Sequence, residues 1–150
     1  MTQEQFGILY QTLPNITKHY QNLPLFTKGY QTVIMANIAP AEFWRKGMEY
    51  AGFGNNAPFT ERNLGTFKSH FGTTPGVCAF VWNAIAQHSA GAEFYHLLWA
   101  LMFIKIYASE AVLKGKAGVQ DETTLTKWTW IVLRAIENNL LPLTVSELYL

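Results

Sequence analysis

Charge is scarce in this sequence, and so are cysteine, aspartate and long apolar runs. Lys, Arg, Asp and Glu make up 14% of the 150 residues, against the ~25% usual in soluble proteins. The formal net charge is only +1. That excludes the global basic surplus with which dedicated nucleic-acid binders neutralise phosphates, so any such footprint must come from local clustering. The lone cysteine, Cys78, excludes an intrachain disulfide and fits a reducing, intracellular compartment. Met1 to Phe6 has no basic stretch leading into an apolar core, so no secretory signal is expected. The longest apolar run, Phe94 to Ile104, contains His96 and falls short of the roughly 20 residues a membrane span needs.

Aromatic residues are plentiful: 10 Phe, 7 Tyr and 5 Trp within an apolar fraction of 49%. Each such ring carries a large area into a core. A chain of this length buries roughly 68–70% of its unfolded surface and needs no staples. The patterning predicts one compact all-α domain, a multi-helix bundle of about two layers. With so little charge, its large faces must pair with neighbouring helices or with another protein.

Helix signals recur along the chain. Thr2 and Gln5 fit a capping box for a short helix ending near Leu13. Pro14 to Tyr20 (PNITKHY) and Pro24 to Tyr30 (PLFTKGY) look like two similar proline-opened helix starts. Pro40 opens another helix, with Phe43, Trp44 and Met48 directed at a core. Gly52, Gly54, Asn55, Asn56 and Pro58 form the clearest loop, which divides residues 1–58, of no assigned role, from a helical core over 60–138. Thr60 is the expected cap of a helix carrying Leu64, Phe67 and Phe71 and stopped by Gly72. Thr74-Pro75 starts a helix with Cys78, Val81, Trp82 and Ile85 on one face, broken by Gly91. Glu93 to Tyr107 is apolar nearly all round, as befits a central helix.

Residues 109–136 then read as a helix-turn-helix unit. Ser109 caps a short helix, Gly118 and Val119 turn the chain, and Asp121 caps a second helix with Glu122 at its positive dipole end. Val112, Leu113, Ala117, Val119, Leu125 and Trp128 form the expected internal core, continued by Val132 and Ile136. Thr123, Lys127 and Arg134 lie on the outer side. The helix fades at Asn138-Asn139, before Pro142. In such units the second helix enters the major groove of DNA. The residues placed to contact it are Lys114, Lys116 and Lys127 near phosphates, and Thr123 and Thr126 at base edges or phosphate. Arg134 lies on the polar side, and Trp130 is an exposed ring that stacks on bases or marks a partner patch. Residues 105–134 carry a net charge of only +2. Corners of this kind also occur in purely structural bundles.

Three stretches carry a family resemblance: Phe67-Lys-Ser-His-Phe-Gly72 with Pro75 to Trp82, His96-Leu-Leu-Trp-Ala-Leu-Met-Phe103, and Gly118-Val119 to Lys127-Trp128-Thr-Trp130. From Leu64 to Ile136 the chain resembles the helix-turn-helix region that precedes the catalytic domain of Harbinger-type DDE transposases. The resemblance implies a DNA-binding role, possible only without cleavage. DDE catalysis needs two Asp and one Glu to hold two metal ions, and this sequence has one aspartate, Asp121. It also implies a nuclear location and a transposase subunit or Myb-like protein as partner. The turn from Gly118 to Leu125 is one residue longer than the family's usual form, which would rotate the second helix.

Other chemistry has less behind it. Cys78, His70, His88 and His96 match no zinc spacing. His96 reads as a hydrogen-bonded core histidine, His70 as a flank residue and Cys78 as a buried, inert thiol. Gly52-Phe-Gly54 lacks the lysine of a phosphate loop, and Arg45-Lys46 is too small for a targeting signal. No cofactor or metal is expected. Thr144-Val-Ser-Glu147 looks like a further capping box, as if a longer relative continued there. Two functions follow as expectations: a non-catalytic binder of double-stranded DNA, such as transposon DNA, or a helical protein-interaction module whose apolar end, Leu140 to Leu150, supports a homodimer or docking. A folded remnant is a third.

Overall fold

The computed structural model describes residues 38–54, 56–106 and 109–140. The expected helix near Thr2, the two proline-opened starts before Gln31, and the Thr144–Glu147 box lie outside these residues, as does all of the apolar end beyond Leu140. Among the described residues six α-helices follow one another: α1 (Pro40–Tyr50), α2 (Glu61–Phe71), α3 (Pro75–Ile85), α4 (Phe94–Ile106), α5 (Glu110–Ala117) and α6 (Glu122–Asn139). There is no strand among the described residues. No helix among them is long and apolar enough to cross a membrane.

The starts and stops follow local chemistry. Thr60 accepts the Asn63 N–H, Thr74 accepts the Val77 N–H, and Asp121 accepts the Thr123 N–H. Each satisfies one of the donors a helix start leaves unpaired. Pro40 and Pro75 occupy the first helical position, where a missing N–H costs nothing. Gly72 and Gly118 close α2 and α5 in the left-handed conformation, at φ 75° and 68°, which L side chains rarely adopt.

Helix α4 is the hub. Its residues His96 to Met102 and Ile104 are all buried, and it packs against α1, α2, α3, α5 and α6. Around it stand Phe43, Met48, Phe67, Phe71, Cys78 and Ile85, each fully buried. The loop after α1 does not separate one packed body from another, because Phe43, Trp44, Met48 and Tyr50 of α1 belong to the same core as α2–α6. Helix α1 also meets α2 at close range: a Cβ on Gly47 would stand 2.3 Å from the Phe67 ring. Ahead of α1, the Asn83 side chain accepts the Ile38 N–H at 3.2 Å, which fastens the chain to α3.

Three details depart from expectation. Helix α3 ends at Ile85, not at Gly91: Ala86–His88 tighten into a 3-10 turn, and the Ser89 hydroxyl donates to the Ile85 carbonyl. Ser89 is buried, and this bond satisfies its hydroxyl. Val112 is not in the core of the corner. It is 49% exposed, while its neighbour Leu113 is buried; successive helical residues point about 100° apart, so only one of the two can face inward. Ser109 precedes α5 in the extended conformation, but its hydroxyl makes no capping bond. Its carbonyl accepts from Val112 and Leu113 instead.

Candidate nucleic-acid interface

Helices α5 and α6 meet through the turn Gly118–Asp121, in the element order expected of a helix-turn-helix. Leu113 and Leu125 are buried, and Ala117, Val119 and Trp128 are partly buried against them and the hub. Thr123, Lys127, Trp130 and Arg134 follow one another at steps of four, three and four residues. That spacing places them on one face of α6. Thr123, Lys127 and Arg134 are exposed, and Thr126 is half-buried beside them. Lys127 and Arg134 join no ion pair among the described residues.

The two α5 lysines differ. Lys116 is exposed. Lys114 is partly covered and lies 3.9 Å from the Glu122 carboxylate, a long, half-solvated pair of small energetic weight. Both stand at the C-terminal end of α5, the negative end of its dipole, where a lysine is favoured without any ligand. Lys114, Glu122, Gly115, Gly118 and Val119 line a shallow open hollow of about 440 Å³ at the turn.

Acidic groups hold the start of α6. Hydrogen bonds from the Thr123 N–H and then the Thr124 hydroxyl keep the Asp121 carboxyl below its ordinary value, so it is ionised at neutral pH. Glu122 is exposed next to it. Two carboxylates therefore face the place where a recognition helix presents its first residues to a base edge. Within 109–140 the bases Lys114, Lys116, Lys127 and Arg134 are balanced by Glu110, Asp121, Glu122 and Glu137.

Trp130 is not the open ring that its position on the polar face predicts. It is half-buried and meets Phe103 of α4 edge-on, 6.2 Å between centroids. Phe103 follows the buried run of α4, and its side chain reaches over to α6. Trp128, expected in the core, is half-buried at its rim. It stacks on His96 at 4.7 Å with 4° between the planes, and the Lys127 ammonium lies 4.6 Å from the centre of its ring.

His96 is the hydrogen-bonded core histidine the sequence predicts. It is 4% exposed, and its Nδ1 accepts the Glu93 backbone N–H at 2.8 Å. In the reciprocal capping arrangement the third helical residue reaches back to the N–H just before the helix. His96, the third residue of α4, makes that bond with an imidazole where Glu or Gln usually does. Burial lowers its pKa to about 4, so the acceptor is neutral at physiological pH. His70 lies half-buried on the flank of α2, its Nδ1 3.0 Å from the Thr66 carbonyl oxygen. Burial pushes the Cys78 thiol well up, so it stays protonated and unreactive. No three His, Cys, Asp or Glu among the described residues stand close enough to share a metal ion.

A second cluster escaped the sequence reading. Trp99 donates its indole N–H to the Tyr50 hydroxyl at 3.0 Å, and burial pushes the Tyr50 phenol well up. Tyr95 joins Trp99 and His96 at 5.6 and 4.7 Å, and the Lys46 ammonium sits 5.7 Å from the Tyr95 ring. Nothing in the spacing of Tyr50 and Trp99, far apart in sequence, announces that pair. Near the first loop, Phe59 is 68% exposed and leans on Trp44 at 4.8 Å, and Phe53 is 48% exposed.

Compared with known protein families, curated proteins and solved structures, the chain matches none.

Proposed function

We propose that this chain is a non-catalytic domain that binds duplex DNA through the outer face of α6. Lys127 and Arg134 contact phosphates, Thr123 and Thr126 hydrogen-bond the backbone, and Lys116 and Lys114 add charge from α5. The single observation that carries this is the alignment of Thr123, Lys127, Trp130 and Arg134 on one face, with both cations free of ion pairs among the described residues. The resemblance of Leu64 to Ile136 to the region before a Harbinger-type catalytic domain supports it. On this reading the chain works in the nucleus, on transposon DNA among other duplexes.

The carboxylates of Asp121 and Glu122 shape the proposal. They repel phosphate at the start of α6, so Thr123 makes at most a marginal contact and the main one falls on the middle of the helix, around Lys127 to Arg134. Binding there neutralises few phosphates and reads few bases, so it is weak and dependent on salt. Fluorescence anisotropy with random duplex DNA at two salt concentrations tests this. Binding that falls with salt, and that Lys127→Ala weakens equally on all sequences, is the expected result. No binding at low salt, or binding indifferent to salt and to Lys127, sinks it.

Phe59 and Phe53 favour a second reading, a protein-interaction module. Aromatic side chains are enriched at protein interfaces, and these two exposed rings flank one loop. A homodimer, or docking on a transposase subunit or Myb-like protein, would cover them. A chain that stays monomeric at high concentration, and whose association with either candidate protein is unchanged by Phe59→Ser, counts against it.

A further inference from the structure

Lys127 is not free to wave in solvent. Its ammonium rests on the Trp128 ring, 4.6 Å from the centre, and the Trp128 ring rests on His96, nearly parallel at 4.7 Å. A ring stacked that closely on one face leaves the other for the ammonium. Behind His96 the support is rigid: Trp99 meets the imidazole at 4.6 Å and Tyr95 at 4.7 Å, and the Glu93 N–H donates to Nδ1. At the edge of Trp128, even a Cβ on Gly91 would come within 3.3 Å of the indole. The indole is therefore held on an inner face and an edge, with its outer face turned to Lys127.

We propose that His96 is a positioning residue for Lys127: its neutral ring fixes Trp128 and keeps the indole face electron-rich, so that the ammonium has a defined seat on α6. An ammonium is held over an indole by the negative face of the ring. A second cation on the opposite face withdraws that charge and repels the first. Protonating His96 also sets an Nδ1–H against the Glu93 N–H, two donors with no acceptor between them. Both effects unseat Lys127. The charged and titratable groups around the imidazole are few. From α4 come Tyr95 and the Glu93 backbone donor. From α1 come Tyr50, reached through Trp99, and Lys46 over Tyr95, itself paired with Glu49 at 3.3 Å. From α6 comes Lys127 behind Trp128. The one acid beside the ring in sequence is Glu93, whose side chain is exposed at the start of α4, and burial is what holds the imidazole neutral.

The inference rests on the DNA-binding reading for its purpose, but its test needs no DNA. In the full chain at neutral pH, proton–carbon NMR should show the Lys127 ε-methylene moved upfield by the indole ring current, assigned through its loss in Lys127→Ala. Lowering the pH should return that signal to the ordinary lysine position, with the midpoint of His96, about 4. His96→Phe keeps a stacked ring without a proton to gain, so its Lys127 signal should stay upfield throughout. His96→Gln keeps an acceptor for the Glu93 N–H but has no ring, so its signal should sit near the ordinary position even at neutral pH. A Lys127 signal at the ordinary position in the unaltered protein overturns the proposal, as does one that titrates alike in His96→Phe. So does loss of far-UV helical signal at the same midpoint, because His96 would then support the fold and not the seat. DNA binding that fails while the NMR result holds would remove the DNA reading and leave the coupling standing.

Discussion

The body built from α1 to α4 and the corner built from α5 and α6 are stabilised in different ways. In the body, rings meet rings: Phe59, Trp44, Phe67 and Phe71 form one chain of contacts at 4.8, 5.8 and 4.7 Å, and Phe43 meets Phe94 at 5.2 Å. In the corner, α5 buries Leu113 while Val112 faces out, and α6 supplies its own inner stripe of Leu125, Val132, Leu133 and Ile136. On the outer face of that corner Trp130 leans on Phe103 and Lys127 on Trp128, but Thr123 and Arg134 are exposed and can change without unfolding the chain. That separation of affinity from stability makes the corner the place to test the proposed binding surface.

The largest expected effect breaks the body. Phe67→Ala removes a ring that is 0% exposed and that touches Trp44, Phe71 and the Gly47 backbone. Equilibrium urea unfolding should show a loss of about 3–5 kcal/mol. A loss under ~1 kcal/mol would mean that the body repacks as freely as a surface.

Next comes the seam where α4 meets α6. The His96 pKa is about 4 in the folded chain against 6.5 for an unperturbed imidazole. The unfolded chain therefore binds more protons anywhere between those values. Stability is full above 6.5 and falls as the pH drops toward 4, with no further loss from this group below that. By about pH 5 the loss should be roughly 2 kcal/mol. Urea midpoints measured across this range in the unaltered chain and in His96→Gln check it. The variant should lack this part of the acid slope, and an unchanged slope would assign the loss to other groups.

Gly47→Ala is the third test, and it sharpens the meaning of close packing in the body. The added Cβ would meet the Phe67 ring at 2.3 Å and Phe71 at 3.0 Å. Overpacking of that kind costs roughly 1–3 kcal/mol, offset in part by the ~1 kcal/mol that alanine gains over glycine inside a helix. Thermal unfolding should show a net loss of roughly 0–2 kcal/mol. A stabilised variant would show that the two rings can move aside.

The same contrast explains what the sequence made legible. Caps are local: Thr60, Thr74 and Asp121, each followed by helix formers, and Gly72 and Gly118 at the ends, carry their chemistry within a few residues. The all-apolar stretch around Leu97 to Leu101 needs no neighbour to be recognised as a hub. Val112 and Leu113, by contrast, are both apolar and adjacent, and only the placement of α4 and α6 decides which turns inward. Trp130 sits on the polar side by periodicity, and its cover comes from Phe103 on another helix. The site is less legible than the fold for that reason. Its outer stripe follows from spacing alone, but the seat of Lys127 on Trp128 and His96 depends on how two distant helices meet.

The smallest effect on stability, and the most informative for function, belongs to the outer face of α6. Arg134 is exposed and joins no ion pair among the described residues, and Lys127 rests on Trp128. Replacing both by alanine should cost no more than about 1 kcal/mol in urea unfolding, most of it from the lost ammonium–indole contact. Binding should respond differently. Each lysine or arginine that leaves a phosphate lowers the salt dependence of the affinity by about one counterion. If both residues touch phosphate, the slope of log affinity against log salt should fall by roughly two, with no change in preference among sequences. If Lys127 is instead spent on Trp128 and only Arg134 reaches the DNA, Lys127→Ala alone leaves the slope where it was and Arg134→Ala carries the whole change. Should the double variant keep the slope of the unaltered chain, the outer face of α6 is not the binding surface. The corner's tolerance of change would then reflect only light packing.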